Sequence, residues 1–117
     1  MTDLIAFLNA RLDEDESRAR ATMRMGAPPW SEVGRGERIP EMAHIERHSP
    51  ARVLREIEAD RELLRRYVDM ARNADERRAE GHPSPAVENM RDAFYVAVLI
   101  RAAVHNDHPD YMQEWKP

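Results

Sequence analysis

Glu41, His44 and His48 stand at i, i+3 and i+7 in the run EMAHIERH. On a helix that spacing puts all three side chains on one face. Two imidazoles four residues apart can reach a single metal ion. A second group, His105 and His108 with Asp107 and Asp110, lies near the end of the chain. If the two groups meet, Glu41, His44, His48, His105, His108 and Asp110 make a His/carboxylate site for zinc or another divalent cation. A cation there would lower the pKa of a bound water and permit hydrolysis. A plainer reading stands beside this one. A histidine in a last helical turn, as His48 would be, gains from the helix dipole without any metal. His108, just before Pro109, can simply cap the tail. The His44-to-His48 spacing also lacks the adjacent glutamate of a metalloprotease helix. No phosphate loop, nucleophile elbow or dinucleotide fingerprint occurs, so no catalytic residue and no cofactor is assigned.

The candidates for partner binding are Trp30, Arg35 and Arg38. A lone Trp after Pro28-Pro29 can anchor a partner, although such a residue more often pins its loop to the core. Of the 18 basic residues, only Lys116 is lysine. That skew fits a GC-rich genome, whose codons favour arginine, and says nothing about mechanism. From Glu46 to Glu80 nine arginines face nine acids, so that segment is neutral. A nucleic-acid face needs uncompensated positive charge; Arg35 and Arg38 are too few to supply it, and the formal charge is −4. The run Asp13-Glu14-Asp15-Glu16 reads as a solvated helix face before it reads as a docking patch for a basic partner.

The chain that carries these residues is organised around Glu41 to Glu80. Pro50 disfavours helical angles at Ser49, so a short helix over about 40–48 ends there. Ser49 can then cap the next helix and Pro50 occupy its first position. Val53, Leu54, Ile57, Leu64, Val68 and Ala71 recur at three- and four-residue steps and predict a long helix over about 50–80. Leu63, Tyr67, Met70 and Ala74 widen the stripe. Asp60 and Arg61 fall where it should continue, so packing is thinner there or a buried pair forms. Gly81 is a C-terminal cap, followed by Pro83.

Thr2 opens a first helix over about 2–24, with Leu4, Ile5, Leu8 and Leu12 on one face, Phe7 beside it, and Ala19 and Met23 continuing it. Residues 26–39 are an irregular loop rich in Gly and Pro. Ser84 and Pro85 repeat the serine–proline device and start a helix over about 85–105. Val87, Met90, Phe94, Ala97 and Val98 form its stripe, and Val96 to Ile100 with Ala102 to Val104 are apolar nearly all round. Such a helix is buried on every side, either as the core of the bundle or as an oligomer interface. The tail, 107–117, places Tyr111 and Trp115 four residues apart, which predicts that it folds back and docks.

At 117 residues the chain is one domain on size, with 34% charged residues and only four glycines. Its lack of cysteine excludes disulfides and thiolate zinc sites and suits a reducing compartment. The N-terminus lacks the basic start and apolar run of a signal peptide. The longest apolar stretch, Phe94 to Ile100, is too short to span a bilayer. The expected location is cytoplasmic.

The run His44-Ile45-x-x-His48-x-Pro50-Ala51-Arg52-Val53-Leu54-Arg55-Glu56 resembles a family of small uncharacterised proteins from actinobacteria and their phages. Leu4-x-x-Phe7-Leu8-x-x-Arg11-Leu12-Asp13-Glu14-Asp15, Trp30 and the ending Asp107-His108-Pro109-Asp110-Tyr111-x-x-x-Trp115 fit the same pattern. The segment Met23 to Pro29 departs from it, and Asp69 to Glu80 is unusually charged. The resemblance implies an intracellular protein of a GC-rich host or phage and brings no activity with it.

The expectation is therefore an all-α fold: an antiparallel helical bundle of three long helices plus one short helix, the tail docked on it. The expected function is a non-enzymatic protein-interaction or regulatory role, with a protein partner or a second copy of the chain. The alternative is a divalent-metal-binding protein or metal-dependent hydrolase on the histidine set.

Overall fold

The computed structural model describes residues 2–25 and 49–117. Three α-helices account for most of them: α1 (Thr2–Arg24), α2 (Pro50–Ala79) and α3 (Pro85–Ala102). Two 3₁₀ turns follow, Ala103–His105 and Gln113–Trp115. The described residues contain no strand. The expected loop over 26–39 and the short helix over 40–48 lie outside the described residues.

Both serine–proline pairs start helices by the same chemistry. Ser49 is extended (φ −62°, ψ 149°), and its Oγ accepts the Arg52 N–H at 3.3 Å. Ser84 (φ −113°, ψ 112°) does the same for the Val87 N–H at 3.3 Å. Each oxygen satisfies one of the donors that a helix start leaves unpaired. At its other end α2 stops because Gly81 adopts φ +81°. The Gly81 N–H then reaches the Arg78 carbonyl at 3.1 Å, and the His82 N–H reaches the Arg77 carbonyl at 2.9 Å. This paired closure needs a left-handed residue, which glycine supplies without a Cβ penalty.

α2 is the central element and packs against both α1 and α3. The core joins Leu4, Phe7, Leu8 and Leu12 of α1, Ile57, Leu64 and Tyr67 of α2, Val98 and Ala102 of α3, and Trp115 of the tail. Tyr67 is 1% exposed and lies 5.7 Å from the Tyr95 ring. Burial, chiefly, pushes the Tyr67 hydroxyl above its ordinary pKa. The tail returns to α1: Trp115 is buried, its ring 5.1 Å from Phe7 and 5.7 Å from Tyr111. Trp115 and the partly buried Tyr111 thus displace water on one side of α1, a burial that favours docking of the tail.

The break in the α2 stripe is resolved by ion pairs to both neighbours. Asp60 receives two hydrogen bonds from Arg101 of α3. Arg61 donates to Asp13 at 3.0 Å and Glu16 at 2.7 Å, both on α1. Near the Gly81 turn, Arg78 of α2 pairs with Glu88 of α3.

Of the two readings of an all-round apolar helix, core of the bundle or oligomer interface, the first is corrected: Met90, Val96 and Ile100 of α3 are each at least half exposed, as is Val104 in the turn that follows. The reason is geometric. Neighbours on one side of a helix cover only part of its circumference, so an all-round apolar helix keeps an uncovered face. Met23 also fails to continue the α1 stripe and is exposed, whereas Ala19 is buried.

Candidate functional site

Of the histidine set, the structure describes His105, His108 and Asp110. The residues Glu41, His44 and His48 lie outside the described residues, as do Trp30, Arg35 and Arg38. His105 ends the turn after α3 and His108 starts the tail; the two are joined by a backbone hydrogen bond from the His108 N–H to the His105 carbonyl at 3.0 Å. Both rings stand steeply to Phe7, at 6.2 Å and 5.6 Å between centroids. His108 Nδ1 accepts the Asp110 N–H at 3.0 Å. That nitrogen is therefore occupied as a cap of the tail turn, and only Nε2 is left for another partner. Among the described residues, no three His, Asp or Glu side chains converge as a metal site would require.

Arg11 is a group that the sequence pattern did not single out for burial. It is only 9% exposed. Its guanidinium carbon sits 5.5 Å from the centre of the Phe7 ring, and Nη2 approaches Glu14 at 3.4 Å. Nε and Nη1 are buried without a hydrogen-bond partner. The signal was present: Arg11 lies three residues after Leu8 and four after Phe7, on the core side of α1.

A shallow groove of about 260 Å³ runs between α1 and α2, lined by Ile5, Asn9, Arg61, Leu64, Arg65 and Val68 among others. Its two arginines are neutralised, Arg61 by Asp13 and Glu16 and Arg65 by Glu58 and Glu62. The groove offers no free charge to a ligand.

A second surface feature among the described residues is the uncovered face of α3. Ala86, Met90, Ala93, Ala97, Ile100 and Val104 follow one another at steps of four, three, four, three and four. That alternation keeps the first five on one stripe of α3, and Val104 follows in the 3₁₀ turn that continues the helix. Met90, Ile100 and Val104 are at least half exposed, Ala86 and Ala93 are exposed, and Ala97 is half-buried. No charged side chain stands in the stripe. Arg101 flanks it, held by Asp60; Val96, 50% exposed, flanks it on the other side. The opposite stripe (Val87, Phe94, Val98, Ala102) faces the core, so the all-round apolarity of α3 is two stripes with different neighbours. The four–three spacing was the signal that could have separated them.

Among the described residues every regular element is helical, and α3 carries an exposed apolar face. The chain matches, over residues 1–117, a family of unknown function (DUF6221), and it belongs to that family. Searches of curated proteins and of solved structures found no match. Among the described residues, no helix is long and apolar enough to cross a membrane.

Proposed function

We propose that this protein is a non-enzymatic interaction protein that presents the exposed face of α3 to a protein partner. The observation that carries the reading is the uncharged stripe from Ala86 to Val104. Apolar patches of this kind on a small soluble protein mark surfaces that something covers, and helix-in-groove recognition reads the same i, i+3/i+4, i+7 anchors. Behind the stripe we infer an antiparallel bundle. Pairings along both contacts support it: Ile5 shares a groove with Val68 while Asp13 and Glu16 meet Arg61; Tyr95 lies by Tyr67; Arg101 lies by Asp60. In each pair of helices, residue numbers rise along one and fall along the other. The arginine-rich, cysteine-free composition supports the cytoplasm of an actinobacterial or phage-infected cell as the setting. Trp30, Arg35 and Arg38 would supply a second contact. The test is a photo-crosslinking residue in place of Ile100, in cells that carry the gene. A discrete adduct with another polypeptide, absent when the same group replaces the exposed Arg66, is expected. No adduct above that control sinks the reading.

A second reading keeps a divalent cation on Glu41, His44, His48, His105, His108 and Asp110. It is favoured by one observation, that His105 and His108 come to the same Phe7 ring. Melting with and without chelator tests it: a chelator-induced drop in Tm supports a bound cation, and an unchanged Tm removes it.

A further inference from the structure

The partner that the α3 face fits best is another copy of itself. We infer that two chains pair through α3 in antiparallel register, with Ala97 at the two-fold axis. This rests on the reading of α3 as an interaction face and names its occupant.

The stripe has the four–three alternation of a helix–helix seam, in which each side chain enters a hole formed by the facing helix. Antiparallel pairing centred on Ala97 sets Ala97 against its counterpart, Ala93 against Ile100, and Met90 against Val104. Small residues face each other at the centre and a small residue faces a large one beside it, the alternation that lets two helices interlock. Such a contact is isologous, so it closes at two copies and does not propagate.

Charge also favours a like partner. Identical surfaces normally repel where they carry net charge, because every charged side chain meets its own sign. Here the stripe carries none. The flanking Arg101 is already neutralised by Asp60 at 2.8 Å, and Arg91 and Asp92 neutralise each other at 3.0 Å. Self-pairing requires only that two apolar strips leave water.

Size sets the strength. α3 has 18 residues and is about 27 Å long at ~1.5 Å per residue. A strip about 10 Å wide along it covers roughly 300 Å² on each copy. That is under half of the ~800 Å² per partner of a stable complex. The dimer is therefore concentration-dependent, in exchange with the single chain.

The absence of cysteine makes the register measurable. Ala97→Cys, oxidised with copper phenanthroline, is expected to form disulfide-linked dimer at least about tenfold faster than Arg72→Cys, an exposed control on α2, because pairing raises the effective thiol concentration. Met90→Cys mixed with Val104→Cys should give the mixed dimer, while Met90→Cys alone should match the control. Sedimentation equilibrium of the unmodified chain should show its mean mass rising toward twice the chain mass, and Ile100→Glu should hold it at one. Fast self-linking of Met90→Cys would overturn the antiparallel register. A concentration-independent single-chain mass with control-level linking at Ala97 would overturn the pairing itself. The two proposals fail separately. A crosslinker at Ile100 that captures a different protein keeps the interaction reading and rejects the second copy; an adduct within one chain, to residues 26–48, rejects both.

Discussion

Arg101 on α3 donates two hydrogen bonds to Asp60 on α2, from Nε to Oδ1 at 2.8 Å and from Nη2 to Oδ2 at 3.0 Å. The guanidinium fork and the carboxylate meet edge to edge, which fixes direction as well as distance. Asp60 is the more buried partner, with 15% of its side chain exposed. The next residue, Arg61, turns to α1 and meets Asp13 and Glu16. Two neighbouring residues of the central helix therefore hold different partner helices, and this explains why the apolar stripe of α2 is interrupted there.

Removing one side of the Asp60–Arg101 pair leaves the other charge partly desolvated. Asp60→Ala should lower unfolding free energy by about 1–2 kcal/mol, the range for a hydrogen-bonded charge that loses its partner. The double variant with Arg101→Ala should recover part of that loss. Urea denaturation of the four proteins in the cycle gives the coupling directly. Additive effects would show that the two residues do not act as a pair.

Glu16 makes stability depend on acid. Hydrogen bonding to Arg20, with Arg61 in support, holds its carboxyl below the ordinary carboxylate range. A carboxylate with a lowered folded-state pKa contributes stability above its unfolded value, and that contribution disappears as pH falls through the folded value. The wild-type protein should therefore be more stable than Glu16→Gln near neutral pH, and the two should converge on acidification. The difference should also shrink in high salt, since both partners are reached by solvent. Urea midpoints measured down a pH series check the sign; a gap that widens in acid would contradict it.

The buried guanidinium of Arg11 predicts a stabilising substitution. Two of its nitrogens lack acceptors, a desolvation cost that its contact with Phe7 offsets only in part. Arg11→Met keeps a long side chain against the core and removes the charge. Replacing poorly paired buried charge with an apolar group of similar volume is often neutral or stabilising, and here a gain of about 1 kcal/mol is expected. Thermal or urea unfolding reads it. A loss of similar size would mean that Nε and Nη1 have a partner in solution.

Gly81 and Ser84 test the turn between α2 and α3 by separate mechanisms. Gly81→Ala places a Cβ at φ +81° with no neighbouring atom within 4 Å, so its cost is backbone strain alone, about 1 kcal/mol. Ser84→Ala removes the cap on the Val87 N–H and should also cost about 1 kcal/mol. The two sites lie three residues apart in one turn, so the double variant measures the coupling between the α2 stop and the α3 start. Circular dichroism during urea unfolding measures all three.

The helix starts at Pro50 and Pro85 and the α2 stop were legible from local chemistry, whereas α3 gives way to a 3₁₀ turn after Ala102, short of the expected 105. Ser49-Pro50, Ser84-Pro85 and Gly81 act on their own backbone within a few residues, so their effect does not wait for the rest of the fold. The stripes of α1 and α2 were legible for a related reason: Leu4, Leu8, Leu12, Ile57 and Leu64 recur at helical period, and only one face of each helix is apolar. Tertiary structure decided the rest. Which way Asp60 and Arg61 turn depends on having α3 on one side and α1 on the other, a relationship that no local spacing encodes. Arg11 lies over the Phe7 ring, and the tail places Trp115 beside that same ring, a meeting of distant segments that helical spacing does not encode. α3 is apolar on nearly all its circumference, so its periodicity could not say which stripe meets α2. Only the packing assigns Val98 and Ala102 to the core and leaves Met90, Ile100 and Val104 facing out, because neighbours that cover one side of a cylinder leave the other side open.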